Sequence, residues 1–204
     1  MAALPIEERR AIRKAREEKF QQDILSIGRR IVEVGDDGNC LFRSIALQAY
    51  GEEDQHRLVR IKCMKYIETE RKYFHNFIEG NFQDYIDRKR TNGEWGDDVE
   101  LQAMSEIYDR PIEIYAYDKK PMKTFHEQPE AAGLDGAIQA HDAITPFRLS
   151  FHGNSHYNCI VPLAWNAQQA VLGDAEPGVI EDEAVQWAID DEKAQHEADL
   201  QMSD

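Results

Sequence analysis

Apolar positions recur along this chain with two different periods, and the switches between them outline its predicted elements. From Pro5 to Arg30 the chain is mostly charged, with Ile12, Phe20, Ile24 and Ile27 as a thin apolar stripe. Pro5 suits a first helical position, and Glu/Arg pairs three and four residues apart support a solvated helix packing through that stripe. Ile31–Val34 reads as a short strand or a helix end, and Leu41–Tyr50 repeats apolar residues at helical spacing. Asp54 can cap a following helix through Tyr66–Ile67, with Leu58, Ile61, Met64 and Ile67 on its apolar face. Further short helices are predicted over Glu70–Ile78 and Phe82–Arg90. The Asn92–Gly96 loop then leads into a helix over Asp97–Tyr108, capped by Asp97 or Asp98.

Beyond it the period changes to two. Pro111–Asp118 alternates Ile112, Ile114 and Ala116 against Glu113, Tyr115 and Tyr117, and Met122–His126 reads as another strand. Glu127–Thr145, with prolines, glycines and alanines, reads as an exposed connection. Phe147–Val161 reads as a β-hairpin around a His-Gly-Asn-Ser turn, where Gly153 and Asn154 tolerate positive φ. Its second strand puts His156, Asn158 and Ile160 on one face, and Tyr157, Cys159 and Val161 on the other. The fold class expected is α/β (α+β), a small central sheet flanked by helices.

The chemistry gathers at two of these elements. In Val34–Ser44 a turn rich in Gly and Asp runs straight into Cys40, where a helical pattern begins. A helix N-terminus offers unpaired N–H groups and a positive dipole end. Such a position is expected to lower a thiol pKa from its usual ~8.5 toward a thiolate. The backbone N–H groups of Gly38, Asn39 and Cys40 are candidates to hold the oxyanion formed when that sulfur attacks a carbonyl. On the hairpin, the Asn158 carbonyl can accept the His156 ring N–H and fix the tautomer, which leaves the other nitrogen for the thiol. Cysteine first, then histidine and asparagine more than a hundred residues later, is the order of papain-like cysteine proteases.

These segments resemble the OTU (ovarian tumour) deubiquitinases. The matching residues are Asp37-Gly-Asn-Cys-Leu-Phe-Arg43, His152-Gly-Asn-Ser-His-Tyr-Asn158 and, between them, Trp95-Gly-Asp-Asp-Val-Glu-Leu-Gln-Ala103. Tyr85–Arg90 and Met104–Tyr115 look most like the DUBA-type branch. The resemblance covers about residues 30–162 and implies a papain-like OTU fold that cleaves isopeptide bonds between the ubiquitin C-terminus and lysine. It implies Cys40 as nucleophile, His156 as general base, Asn158 as third triad member and Asp37 as an active-site acid. Asp37 could cap the loop or partner the imidazolium. Asn158 stands where many relatives have aspartate. A neutral orienter stabilises the imidazolium less, so modest intrinsic activity is expected.

Composition narrows the setting. The 204 residues suit a charged N-terminal helix over 1–30, a catalytic domain over 31–163 and an acidic tail over 164–204. The net charge of −15 disfavours phosphate-backbone binding and suits basic partners such as the arginine-bearing ubiquitin tail. Three cysteines at irregular spacing argue against a disulfide framework and for a cytoplasmic setting, with a nuclear one as alternative. No apolar run reaches membrane-spanning length, and the N-terminus lacks a signal-peptide core. Neither cofactor nor metal is expected: His152, His156 and Cys159 do not share a strand face. Cys63 and Cys159 read as core thiols, and Trp95 as packing beside the site.

From Gly173 to Asp204, eleven acids face the single Lys193. Within them Glu181–Glu192 looks like a degenerate ubiquitin-interacting motif, with a plain acidic helix or tail as the alternative. The partners expected are ubiquitin, polyubiquitin and ubiquitinated proteins, with the chain a monomer. Two other readings are a non-catalytic ubiquitin-binding adaptor and a protease for another ubiquitin-like modifier.

Overall fold

The computed structural model describes residues 4–125, 145–153 and 155–167. Helix α1 (Ile6–Ser26) follows Pro5, which lies just outside the helix with extended backbone rather than at its first position. Strand β1 (Arg29–Val32) begins two residues before the boundary drawn from sequence, so Arg29 and Arg30 belong to the sheet. Helix α2 (Cys40–Tyr50) closes on Gly51 in the left-handed conformation, a C-terminus glycine adopts at little cost. A 3-10 turn (Glu53–Gln55) precedes α3 (His56–Thr69), so Asp54 sits inside the turn and caps nothing through its side chain.

The stretch predicted as one helix over Glu70–Ile78 is instead a single turn, α4 (Arg71–Phe74), followed by a 3-10 turn (His75–Phe77). Helix α5 (Phe82–Arg90) takes Asn81 as its cap, and α6 (Asp98–Ile107) takes Asp97 in a capping box with Glu100. Strands β2 (Ile112–Tyr115), β3 (Lys123–Phe125), β4 (Phe147–His152) and β5 (His156–Pro162) complete the sheet. Residues 126–144, most of the expected connection, and 168–204, with the acidic tail and its helical pattern, lie outside the described residues.

The five strands stand in the order β1-β5-β4-β2-β3, antiparallel except for the parallel pair β2–β4. The β4–β5 hairpin pairs His152 with His156 and Ser150 with Asn158, so these four side chains share a face. Period two then divides the core. Tyr157, Cys159, Val161, Leu149, Phe147, Ile112 and Ile114 meet the main core, with Leu41, Phe42 and Ile45 of α2, Met64 of α3 and Leu101 of α6. On the other face Tyr115 and Ile160 pack with Phe20 and Ile24 of α1. Ile12, predicted to join that stripe, is exposed. The sheet is therefore sandwiched between α1 and the remaining helices.

Glu17 of α1 bonds His152 Nδ1 at 2.8 Å, and His152 Nε2 meets Ser150 Oγ at 2.8 Å. The arrangement resembles a Ser-His-Glu relay, but Ser150 is completely buried. It fastens α1 to the hairpin.

Candidate active site

The path from β1 to α2 assembles the site. After Val32, which pairs with Cys159, the chain leaves the edge strand β1 and reaches α2 at Cys40. On the way the Val34 N–H donates to Asn158 Oδ1 at 3.0 Å. That oxygen also takes His156 Nε2 at 3.0 Å. Because Oδ1 accepts from Val34, it must accept from the imidazole too. Nε2 carries the ring proton, and Nδ1 of the neutral ring is left as the basic nitrogen. His156 Nδ1 is buried without a hydrogen-bond partner. It lies 3.3 Å from Asp36 Oδ1, a contact that becomes an ion pair only when the ring is protonated.

Cys40 is the first residue of α2, and its side is almost closed to solvent. Its thiol pKa is raised, contrary to the expectation from its helical position. Burial is the main cause; the Tyr157, Leu41 and Cys40 backbone amides pull the other way, and the Asp36 carboxylate adds to the rise. A base that takes the thiol proton is therefore needed for this sulfur to act as a nucleophile.

Asp37 stands away from the imidazole. Its carboxylate accepts from Arg43 Nη2 at 2.7 Å and Nε at 3.2 Å, and from the Asn39 backbone N–H at 3.1 Å. The Arg43 guanidinium chiefly holds that carboxyl well below the usual range. Of the two roles open to Asp37, the geometry selects the loop-holding one. The acid facing His156 is Asp36, which the sequence reading missed. Within a turn, neither of two consecutive aspartates announces which way it faces.

The bond from Asn39 N–H to Asp37 also changes the oxyanion site. Among the described residues, the Gly38 and Cys40 N–H groups donate to no oxygen, whereas that of Asn39 is spent inside the loop. Gly38 has φ +80°, and a Cβ there would sit 1.8 Å from the Gly93 carbonyl oxygen. The loop can approach its neighbour this closely only with glycine at this point. Gly96 lies against the side-chain end of Leu41, where a Cβ would sit 2.3 Å from Leu41 Cδ2. Trp95 between them is 55% exposed, so it is not packed as expected. Cys63 and Cys159 are buried core thiols, and Cys159 Sγ donates to the Ser44 carbonyl on the face away from His156.

The sequence profile of the family described as OTU-like cysteine protease matches residues 35–157, from the cysteine loop to the catalytic strand. The chain belongs to this family. OTU domain-containing protein 5 of Xenopus tropicalis is 39% identical over 165 residues, covering 78% of this OTU chain and 29% of that protein. The Arabidopsis thaliana protein named OVARIAN TUMOR DOMAIN-containing deubiquitinating enzyme 6 is 40% identical over 147 residues, covering 72% of this chain and 27% of its own length. The chain thus spans less than a third of the length of these relatives. The first likeness agrees with the DUBA-type branch. Among solved structures, the OTUD1 OTU domain superposes with a TM-score of 0.61 at 24% identity, covering 75% of this chain and 99% of that domain. An OTU domain in complex with ubiquitin superposes with a TM-score of 0.53 at 19% identity, covering 68% of this chain and 72% of that one. At these identities the two structures speak for a shared OTU fold.

Proposed function

We propose that this chain is a deubiquitinase, a thiol-dependent hydrolase of isopeptide bonds at the ubiquitin C-terminus. One observation carries the mechanism: His156 is held through Nε2 by Asn158 while Nδ1 is buried and unpartnered. That nitrogen takes the Cys40 proton as sulfur attacks the carbonyl of the terminal glycine. The Gly38 and Cys40 amides receive the oxyanion. The imidazolium then protonates the departing lysine amine, and a thioester remains on Cys40. Water, deprotonated by His156, hydrolyses it and restores the thiol.

Substrate class is supported by the family match and by two relatives' names and structures, one called a deubiquitinating enzyme and one holding ubiquitin. The acidic chain, at net −15, suits a basic C-terminal tail. Three free, buried cysteines suit a reducing cytoplasmic compartment. The test is reaction with ubiquitin carrying a thiol-reactive electrophile at its C-terminus, read by gel shift beside Cys40→Ser. Adduct is expected from the wild type alone. A folded wild type that forms none with ubiquitin, yet reacts with a related modifier's probe, would move the substrate to that modifier.

A further inference from the structure

Asn39 precedes the first residue of α2, the position where an Asn side chain usually caps a helix, yet it makes no capping bond. Its Oδ1 turns into the protein instead. There it accepts from Arg60 Nη2 at 2.7 Å and from the Gly93 backbone N–H at 2.9 Å. Arg60 lies on α3 and is 3% exposed. The same guanidinium donates from Nη1 to the Lys89 carbonyl at 2.9 Å and from Nη2 to the Glu94 carbonyl at 2.7 Å. It stacks 4.0 Å over the ring of Phe42, two residues beyond the nucleophile.

This is an unusual use of a buried cation. Every hydrogen-bond partner of the guanidinium is a neutral oxygen; the nearby buried carboxylate, Glu100, pairs with Lys89 at 3.0 Å. Burial accordingly pushes the Arg60 pKa down to about 10, which still leaves it charged near neutrality. Holding a cation in such a place is costly if packing is the only return. What a planar fork supplies and an apolar side chain does not is direction. Its bonds tie the cysteine loop, the end of α5 and the Gly93–Trp95 loop to one rigid group. Asn39 stands between Gly38 and Cys40, whose N–H groups donate to no oxygen, and Gly38 rests on the Gly93 carbonyl.

We propose that Arg60 is the positioning residue of the oxyanion site, fixing the Gly38 and Cys40 amides through the Asn39 side chain and the Gly93 loop. It touches no substrate. It deepens the acyl-transfer reading above, on which it rests, and it makes a demand that a merely structural residue would not. Reactions of Cys40 that build charge on an oxygen depend on Arg60, and those that do not are indifferent to it.

Two small reagents separate these cases in the full chain. With p-nitrophenyl acetate the sulfur–carbonyl bond forms through an oxyanion, the ester C–O bond breaks and p-nitrophenolate leaves, the thiol proton passing to His156. With iodoacetamide the sulfur–carbon bond forms as iodide leaves, the thiol proton again passing to His156, with no oxyanion. Rates are taken after subtraction of a Cys40→Ala control. Arg60→Lys is expected to slow acylation by about 10–100-fold while alkylation stays within about twofold. Asn39→Ala is expected to show the same selectivity, with the double variant no slower than the slower single one. If Arg60→Lys does not fold, Asn39→Ala carries the test alone.

Equal slowing of both reactions, or no slowing of acylation, overturns the proposal. The fluorogenic amide of the ubiquitin C-terminus keeps the two readings distinct: kcat is expected to fall with KM unchanged. Selective loss with the ester, alongside a wild type inert toward the ubiquitin amide, upholds Arg60 and overturns the ubiquitin assignment.

Discussion

The Asn158 amide oxygen takes two N–H donors 3.0 Å away, one from the base and one from the loop that leads to the nucleophile. Replacing Asn158 by Ala therefore removes the ring's orienting acceptor and leaves the Val34 N–H unsatisfied in a buried place. The first loss is expected to lower kcat by about 10–100-fold, since correctly placed general acid–base catalysis is worth ~100-fold or more. The second is expected to cost ~1–3 kcal/mol of stability. Asn158→Asp keeps an acceptor for both donors and adds a charge that favours the imidazolium, so it should retain turnover. Steady-state kinetics on the ubiquitin amide, with thermal unfolding of each variant, checks the pair. Full turnover by Asn158→Ala would remove Asn158 from the mechanism. Asp37 belongs to a different set of contacts: with Arg43 and the Asn39 N–H it braces the loop.

Between elements, the decisive contact is backbone on backbone, Gly38 against Gly93, both with positive φ. A methyl group at Gly38 would meet an immovable carbonyl oxygen and would also force a left-handed conformation costing ~1–2 kcal/mol. Gly38→Ala is thus expected to lose at least ~100-fold in acyl transfer through displacement of the oxyanion donors, more than its lowered unfolding midpoint explains. Near wild-type acylation in that variant would place the oxyanion elsewhere. Much of this layout was legible beforehand, because periodicity and turn residues act locally. The hairpin, α5 and the cysteine helix follow their apolar spacing, and His156 and Asn158, singled out by residue type and order, are hydrogen-bonded to each other. The rest depends on where separate segments meet. Ile12 is exposed because only the later part of α1 meets the sheet, at Phe20 and Ile24. The raised Cys40 thiol reflects burial by the fold, which outweighs the helix terminus. Arg60 did leave a signal: it shares a helical face with Cys63, Met64 and Ile67, a cation within an apolar stripe.

Across the whole molecule, acid stability ties the fold to the catalytic loop through His56. This side chain is buried at the start of α3, with its Nδ1 lacking a partner. Burial first, then the charge of Arg43, push its pKa down from 6.5 to about 4; Asp37 pulls it back up, and Arg57 and Arg60 add smaller downward pushes. The folded chain thus refuses a proton that the unfolded chain binds once the pH drops below 6.5. The stability this neutral His56 contributes is complete above that pH and is lost as the pH falls toward about 4, up to ~3 kcal/mol at ~1.36 kcal/mol per unit. Asp37 is depressed from 3.8 and acts in the window below it, where acid must break its pairing with Arg43. The two groups can therefore be told apart by pH. His56→Leu should unfold at a midpoint much less sensitive to pH between about 6.5 and 4 than the wild type does, because nothing at position 56 then takes up a proton. Asp37→Asn should keep the wild-type slope in the upper part of that window, at about pH 6, and shift the His56 contribution to lower pH, because the Asp37 charge that holds the His56 pKa up is then gone. Scanning calorimetry of the three proteins across both windows measures this, and parallel slopes for His56→Leu and wild type would mean that the buried imidazole does not govern acid unfolding.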